Sequence, residues 1–388
     1  MTEAERARLI GVLAAGNFVI GVGAFVVIGL LVPLSNGFGI SPSEAGLVLT
    51  VYAFAYAILS PLLVTLTGRV GRRRVLVASL GLFALANLGS ALAPSPDLLL
   101  ATRVLVAAGS GIFTPSAAAV AAAISTPETR GRTLAQVFFG ITLAQVLGVP
   151  VGRLLAYTIG WRATLLVVAL LALPCMILLW RFVPRGLAFE PTRLSTLGAA
   201  LLDWRGLVAI GFTVSFMSGI YVVYTYLAPL LELRMGFGGP GVSAMLLLFG
   251  IGAVLGNLLG GRMTDRLGPG PTLRILVALH TGLIALFSLL PLPVPVLAPL
   301  VVVWSATGWA FMAPQQIRLL GRQNTGQAVT LALNAAAIYV GAAIGSALGA
   351  GVMSAAGIGW LGLAGSAVCA LALMHLVLGD RLAAGRDG

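Results

Sequence analysis

Few side chains in this 388-residue chain could do chemistry, and their types limit what that chemistry is. Arg103, Ser110 and Thr114 stand at i, i+7 and i+11, one face of a helix, and would give it a polar lining. Tyr221, Tyr224 or Thr225, Ala228 and Glu232 share another helical face, so Glu232 is a candidate proton carrier; the alternative is a surface glutamate at a helix end. Asp265 and Arg266 sit in a tight turn between Gly261 and Gly268, where a carboxylate could hold the amide end of a neighbouring helix. Asn17, Trp304, Gln315, Asn334 and Tyr339 add amides and aromatic surface. Such groups bind and titrate. No metal-ligand cluster, nucleophile–base pair or phosphate loop accompanies them, so neither an enzyme nor a metal or cofactor is expected.

The elements that must position these residues are apolar runs of membrane length. Charged residues make up 9% of the chain, against roughly 25% in ordinary soluble domains, and mean hydropathy is +1.05. Runs lie near 9–34, 44–66, 75–93, 97–124, 132–158 and 163–183, then near 206–231, 241–263, 272–290, 296–320, 326–352 and 358–378. About 20 residues suffice to cross a bilayer. The first run follows a charged leader, Met1 to Arg8, and exceeds the roughly 7 to 15 residues of a signal-peptide core. The expected fold is therefore all-α and integral to the membrane, with twelve transmembrane helices. Cys175 and Cys369 fall inside apolar runs, which excludes a disulfide framework.

The runs form two sets of six. A shift of 197 positions sets Gly268 on Gly71, Arg266 on Arg69, Asp265 on Gly68 and Gly261 on Val64; a shift of 199 sets Pro314 on Pro115 and Gly308 on Gly109. The polar stretch Pro184 to Arg205 divides the copies. The spacing predicts a six-helix bundle over 1–183, a cytoplasmic linker over 184–205 and a second bundle over 206–388. Pseudo-symmetric bundles of this kind move against each other.

All 23 basic residues are arginine. With the N-terminus cytoplasmic, 19 fall on inner segments, only Arg162 and Arg234 on outer loops, and Arg103 and Arg153 inside helices. That bias predicts both termini cytoplasmic. The net charge of +12 then reports topology and contact with anionic lipid, and a nucleic-acid partner is not expected. Ser41-Pro42-Ser43-Glu44 and Ser95-Pro96-Asp97 carry a cap, a first-turn proline and an acid, making Glu44 and Asp97 helix-start residues. Arg103 lies roughly 9 Å into its helix, so snorkelling to the outer interface competes with a cavity role. Arg153, near the outer end of helix 5, is expected to snorkel.

Gly261-Arg262-Met263-Thr264-Asp265-Arg266-Leu267-Gly268 resembles the cytoplasmic signature of the major facilitator superfamily; the first copy keeps only Arg69 and Gly71 before Arg72 and Arg73. Gly148-Val149-Pro150-Val151-Gly152 resembles the glycine–proline signature of that superfamily's proton-coupled antiporters, and Arg103 with Gly109 and Gly111 resembles their third signature. Gly160-Trp161-Arg162, Tyr226 to Leu231 and Gly256 to Gly261 look like the arabinose-efflux and chloramphenicol-exporter-like branch of the twelve-helix drug:proton antiporters. The resemblance covers nearly the whole chain. It implies the major facilitator fold, an inner or plasma membrane location, and export of a small molecule in exchange for protons by alternating access; a monomer is expected.

The resemblance also places helix 5 against helix 8 and helix 2 against helix 11, with Gly148, Pro150 and Gly152 at a moving seam. Gly252, Gly256 and Gly260, and Gly341, Gly345 and Gly349, repeat every four residues and leave flat strips for close helix approach, which serve static packing equally well. Asp265 is expected to latch onto the start of helix 5 near Gly131, one-sidedly because Gly68 takes its place in the first copy; a solvated turn residue is the alternative. The branch commonly carries a membrane-embedded acid in helix 1 where this chain has Ala24, so Arg103 and Glu232 are the coupling candidates. His280 and His375 read as structural. Asn17, Arg103, Tyr221, Tyr224, Trp304, Gln315, Asn334 and Tyr339 are the candidate substrate contacts, a set suited to a neutral or anionic amphipath. An uncoupled facilitator of the same fold is the alternative.

Overall fold

Within hydrocarbon a helix satisfies every backbone amide internally, and the apolar runs take that form. The structure, a computed structural model, describes residues 2–126, 130–185, 204–320 and 327–384. Among them are twelve helices long and apolar enough to cross a membrane: α1 Glu3–Phe38, α2 Pro42–Leu66, α3 Arg72–Ala91, α4 Pro96–Ala123, α5 Gln136–Thr158, α6 Trp161–Phe182, α7 Gly206–Met235, α8 Gly239–Leu267, α9 Pro269–Leu289, α10 Val294–Leu319, α11 Leu333–Ala356 and α12 Ile358–Gly379. The starts of α2 and α4 are capped as their sequences predict. Ser41 and Glu44 exchange bonds, Glu44 accepting from the Ser41 amide at 2.7 Å, and Ser95 caps the Leu98 amide.

The chain divides into two compact units, one of residues Met1–Ile40 and Val51–Arg193, the other of Ser41–Thr50 and Leu194–Gly388. Of the expected 184–205 linker, residues 186–203 lie outside the described residues. The internal repeat is written in the backbone. The left-handed glycines that end α1 and α7, Gly39 and Gly236, both have φ of 66°, and those that open α6 and α12, Gly160 and Gly357, have φ of 87° and 90°. Each pair is separated by the same 197 positions that align the two copies.

Three prolines stand where helices depart from regularity. A proline lacks the amide that would bond the carbonyl four residues earlier. Pro229 so frees Thr225, and α7 breaks there into Trp204–Tyr224 and Leu227–Met235. That break interrupts the continuous face expected to carry Tyr221, Tyr224, Ala228 and Glu232. Pro314 frees Ala310, where α10 breaks into Val294–Trp309 and Met312–Leu320. Beside Pro150, α5 passes through a π turn at Ala144–Gly148, a widening that often accompanies function.

The glycine strips make their close approaches inside their own units. A Cβ added at Gly252, Gly256 or Gly260 would fall on the carbonyl oxygens of Val302, Ala306 and Ala310 in α10. Steps of four on one helix match steps of four on the other, as parallel helices in backbone contact require. Gly341, Gly345 and Gly349 meet the carbonyls of Val214, Ser218 and Val222 in α7. Gly148 and Gly152 pack on Val22 and Val26 of α1. The α5–α1 and α11–α7 pairs are the same feature in the two copies.

Candidate substrate and coupling site

In the first unit the polar face of α4 meets α1 and α2. Arg103 is wholly buried. One terminal nitrogen, Nη2, donates to the Gly23 carbonyl of α1 at 2.8 Å, and the guanidinium lies 5.0 Å from the centre of the Tyr52 ring in α2. Its Nε and Nη1 are buried without a hydrogen-bond partner among the described residues. Ser110, one of the expected neighbours, bonds back to the Val106 carbonyl and faces Tyr52. Thr114 donates to Asn17 Oδ1 at 3.0 Å, and Asn17 Nδ2 donates to the Val137 carbonyl of α5 at 3.1 Å. The structure therefore brings Asn17 onto the Arg103–Ser110–Thr114 face. It commits the amide to tying α1, α4 and α5 together.

The second unit gathers Gln315 and Asn334 around Thr213. Thr213 of α7 donates to Asn334 Oδ1 at 2.6 Å, and Gln315 Nε2 donates to Thr213 Oγ1 at 3.1 Å and to the Ala209 carbonyl at 3.0 Å. Arg318 donates to Gln315 Oε1 at 3.2 Å. Trp304 is wholly buried in an aromatic core with Phe249 and Phe287, and its Nε1 donates to His280 Nε2 at 3.2 Å. His280 therefore carries its proton on Nδ1, which donates to Thr307 at 3.1 Å, a structural role as expected. Tyr224 stacks on Phe249 at 4.1 Å and meets Tyr221 edge-on at 5.6 Å. Tyr339 is half-buried in α11, and Glu232 is half-buried in the last turn of α7.

The turn residues stand at the surface. Asp265 and Arg266 are exposed in the last turn of α8, and Gly261 has open space where a Cβ would be. Gly268 has φ of 80° and ψ of 165°, a region only glycine enters without strain, which explains the glycine that closes the motif. Gly71, its counterpart, caps α3 at φ of −56° and needs no such freedom. Arg69 is exposed and Arg72 is buried.

Arg153 corrects one expectation. It does not snorkel but is wholly buried, donating to the Gly29 carbonyl of α1 at 3.3 Å and to the Tyr157 hydroxyl at 3.0 Å. Gly29 is four residues before Pro33, so its carbonyl is freed and a cation answers it. Sequence reasoning also missed Tyr52, Thr213 and Arg318. Only Arg318 carried a signal, a cation three residues from Gln315 on the same helix.

Comparison with known proteins identifies the family and the fold. The sequence pattern of the Major Facilitator Superfamily matches residues 13–323. The inner membrane transport protein YdhP of Escherichia coli K12 is 32% identical over 377 residues, 95% of each chain, and the MFS-type transporter YbcL of Bacillus subtilis is 30% identical over 93% of each. Two solved structures share the fold. A bacterial homologue of the human lysosomal transporter Spinster superposes with a TM-score of 0.80 at 16% identity over 99% of each chain. A D-xylose–proton symporter superposes with a TM-score of 0.72 at 18% identity, covering 95% of this chain and 96% of its own. The relatives are named as transporters, and the chain belongs to the Major Facilitator Superfamily of membrane transporters, which are not enzymes.

Proposed function

We infer that this transporter is a proton-driven exporter of a small neutral or anionic amphipath, working by alternating access between bundles 1–183 and 206–388 as a monomer with both termini cytoplasmic. The observation that carries the substrate class is Arg103, a buried guanidinium with two donors unsatisfied and no carboxylate bonded to it among the described residues. A buried charge without a counter-charge is costly, and an anionic or strongly hydrogen-bonding cargo offsets that cost. Asp265, exposed at the end of α8, serves in this reading as the one-sided latch at the start of helix 5, with Arg69, Gly71, Arg72, Gly261, Arg266 and Gly268 around it and Gly148, Pro150 and Gly152 as the hinge. Glu232 is the carboxylate left to exchange protons.

A second reading, the uncoupled facilitator, is favoured by one observation. Among the described residues, Glu3, Glu5, Glu44, Asp97, Glu232 and Asp265 all lie in the first or last turns of their helices. Uptake of matched anionic, neutral and cationic amphipaths into liposomes, by the wild type and Arg103→Met, tests the substrate class. The account expects anionic and neutral cargo to move and the variant to lose the anionic preference. Selective transport of cations by the wild type contradicts it.

A further inference from the structure

A groove of about 190 Å³ lies between α1, α5 and α6 in the first unit. Its floor is Val22, Val26 and Val168, all buried, and its rim is Leu147, Val151 and Leu171, exposed by 39%, 48% and 41%. The one polar side chain among its walls, Thr164, turns its hydroxyl back onto the Gly160 carbonyl at 2.9 Å. Two features of α5 shape it. The π turn at Ala144–Gly148 bends the helix path, and Gly148 and Gly152 bring α5 close to α1 while adding no side chain to the wall.

We propose that this groove is a binding site for one acyl chain of a membrane phospholipid, seated against the Gly148–Pro150–Gly152 segment. The rim is continuous with the lipid-facing surface, since Leu154 of α5 and Leu170 of α6 beside it are exposed by 42% and 52%. The groove thus opens onto hydrocarbon. From Thr164 to Leu171 α6 rises roughly 10 Å, so the groove takes a segment of a chain lying along the first turns of α6. An unfilled groove forfeits dispersion contacts on one side. An acyl chain supplies them and disturbs no hydrogen bond. Retention follows from packing in a fitted groove, because hydrocarbon outside is as apolar as the walls.

The test places a tryptophan on the rim, Leu171→Trp, and another beside it outside the groove, Leu170→Trp. Both proteins are reconstituted with phosphatidylcholine brominated along the acyl chain, then extracted and washed in dodecyl maltoside. With the signal of the wild type's six native tryptophans subtracted, the expected result is that Leu171→Trp stays quenched after the wash and Leu170→Trp recovers. Equal recovery overturns the proposal. Because a tryptophan could itself fill the site, native mass spectrometry of the wild type and of Val167→Phe/Leu171→Phe supplies a second reading. The wild type should keep one phospholipid and the filled variant none. Equal retention, detergent in place of lipid, or displacement of the lipid by a transported amphipath each overturns it.

Discussion

The guanidinium of Arg153 takes the place of the amide that Pro33 lacks, donating at 3.3 Å to the Gly29 carbonyl that an unbroken α1 would bond internally. The same device recurs between α2 and α4, where Ser60 Oγ donates at 2.7 Å to the Gly111 carbonyl freed by Pro115. Buried carbonyls need partners, and these two receive them from neighbouring helices. Removing the donor in Arg153→Met should cost about 1–3 kcal/mol. Pro33→Ala restores an amide at position 33, so the arginine substitution should cost less in that background. Thermal unfolding of the two single variants and the double variant measures the coupling; strict additivity contradicts it.

Gly256 and Gly261 of α8 and Gly268 at its end are of three kinds. Gly256→Val drives a side chain into the Ala306 carbonyl and should cost about 1–3 kcal/mol or prevent assembly. Gly261→Ala enters open space and should change stability by less than about 0.5 kcal/mol. Gly268→Ala is strained by backbone conformation alone and should cost about 1–3 kcal/mol. An unfolding midpoint of Gly256→Val no lower than that of Gly261→Ala argues against the observed α8–α10 contact.

Trp304 holds the second unit together in this account. Trp304→Phe removes the bond to His280 Nε2 and should lower stability by about 1 kcal/mol, while cargo affinity changes less than twofold. A large loss of affinity in an unaltered fold would return Trp304 to the binding surface.

The sequence carried the fold almost completely, for reasons visible in particular residues. Apolar length predicted the twelve spans, and Gly39 with Gly236 shows that the repeat extends to backbone angles. Contacts were harder to read. That Arg103, Ser110 and Thr114 share a face follows from helical period, whereas Tyr52 reaches them only because α2 packs on α4. Arg153 was misread because the rule that arginines near helix ends snorkel ignores a carbonyl freed on another helix. Glycine spacing signalled close approach but not its partner, since a flat strip fits α10 as well as any other helix.

For the latch, Asp265→Asn should slow turnover while leaving cargo affinity nearly unchanged, because the side chain stands at the exposed end of α8 away from the buried polar groups. Initial rates and binding measured on the same preparation separate the two. Unchanged turnover removes Asp265 from the mechanism.

Coupling is the central claim, and substrate-induced proton movement in liposomes tests it most directly. Purified protein would be given neutral and anionic amphipaths with and without an imposed pH gradient, and internal pH followed alongside uptake. The account predicts gradient-dependent uptake with protons moving the opposite way. Uptake that is equally fast without a gradient, and moves no protons, would contradict it and make the protein a facilitator.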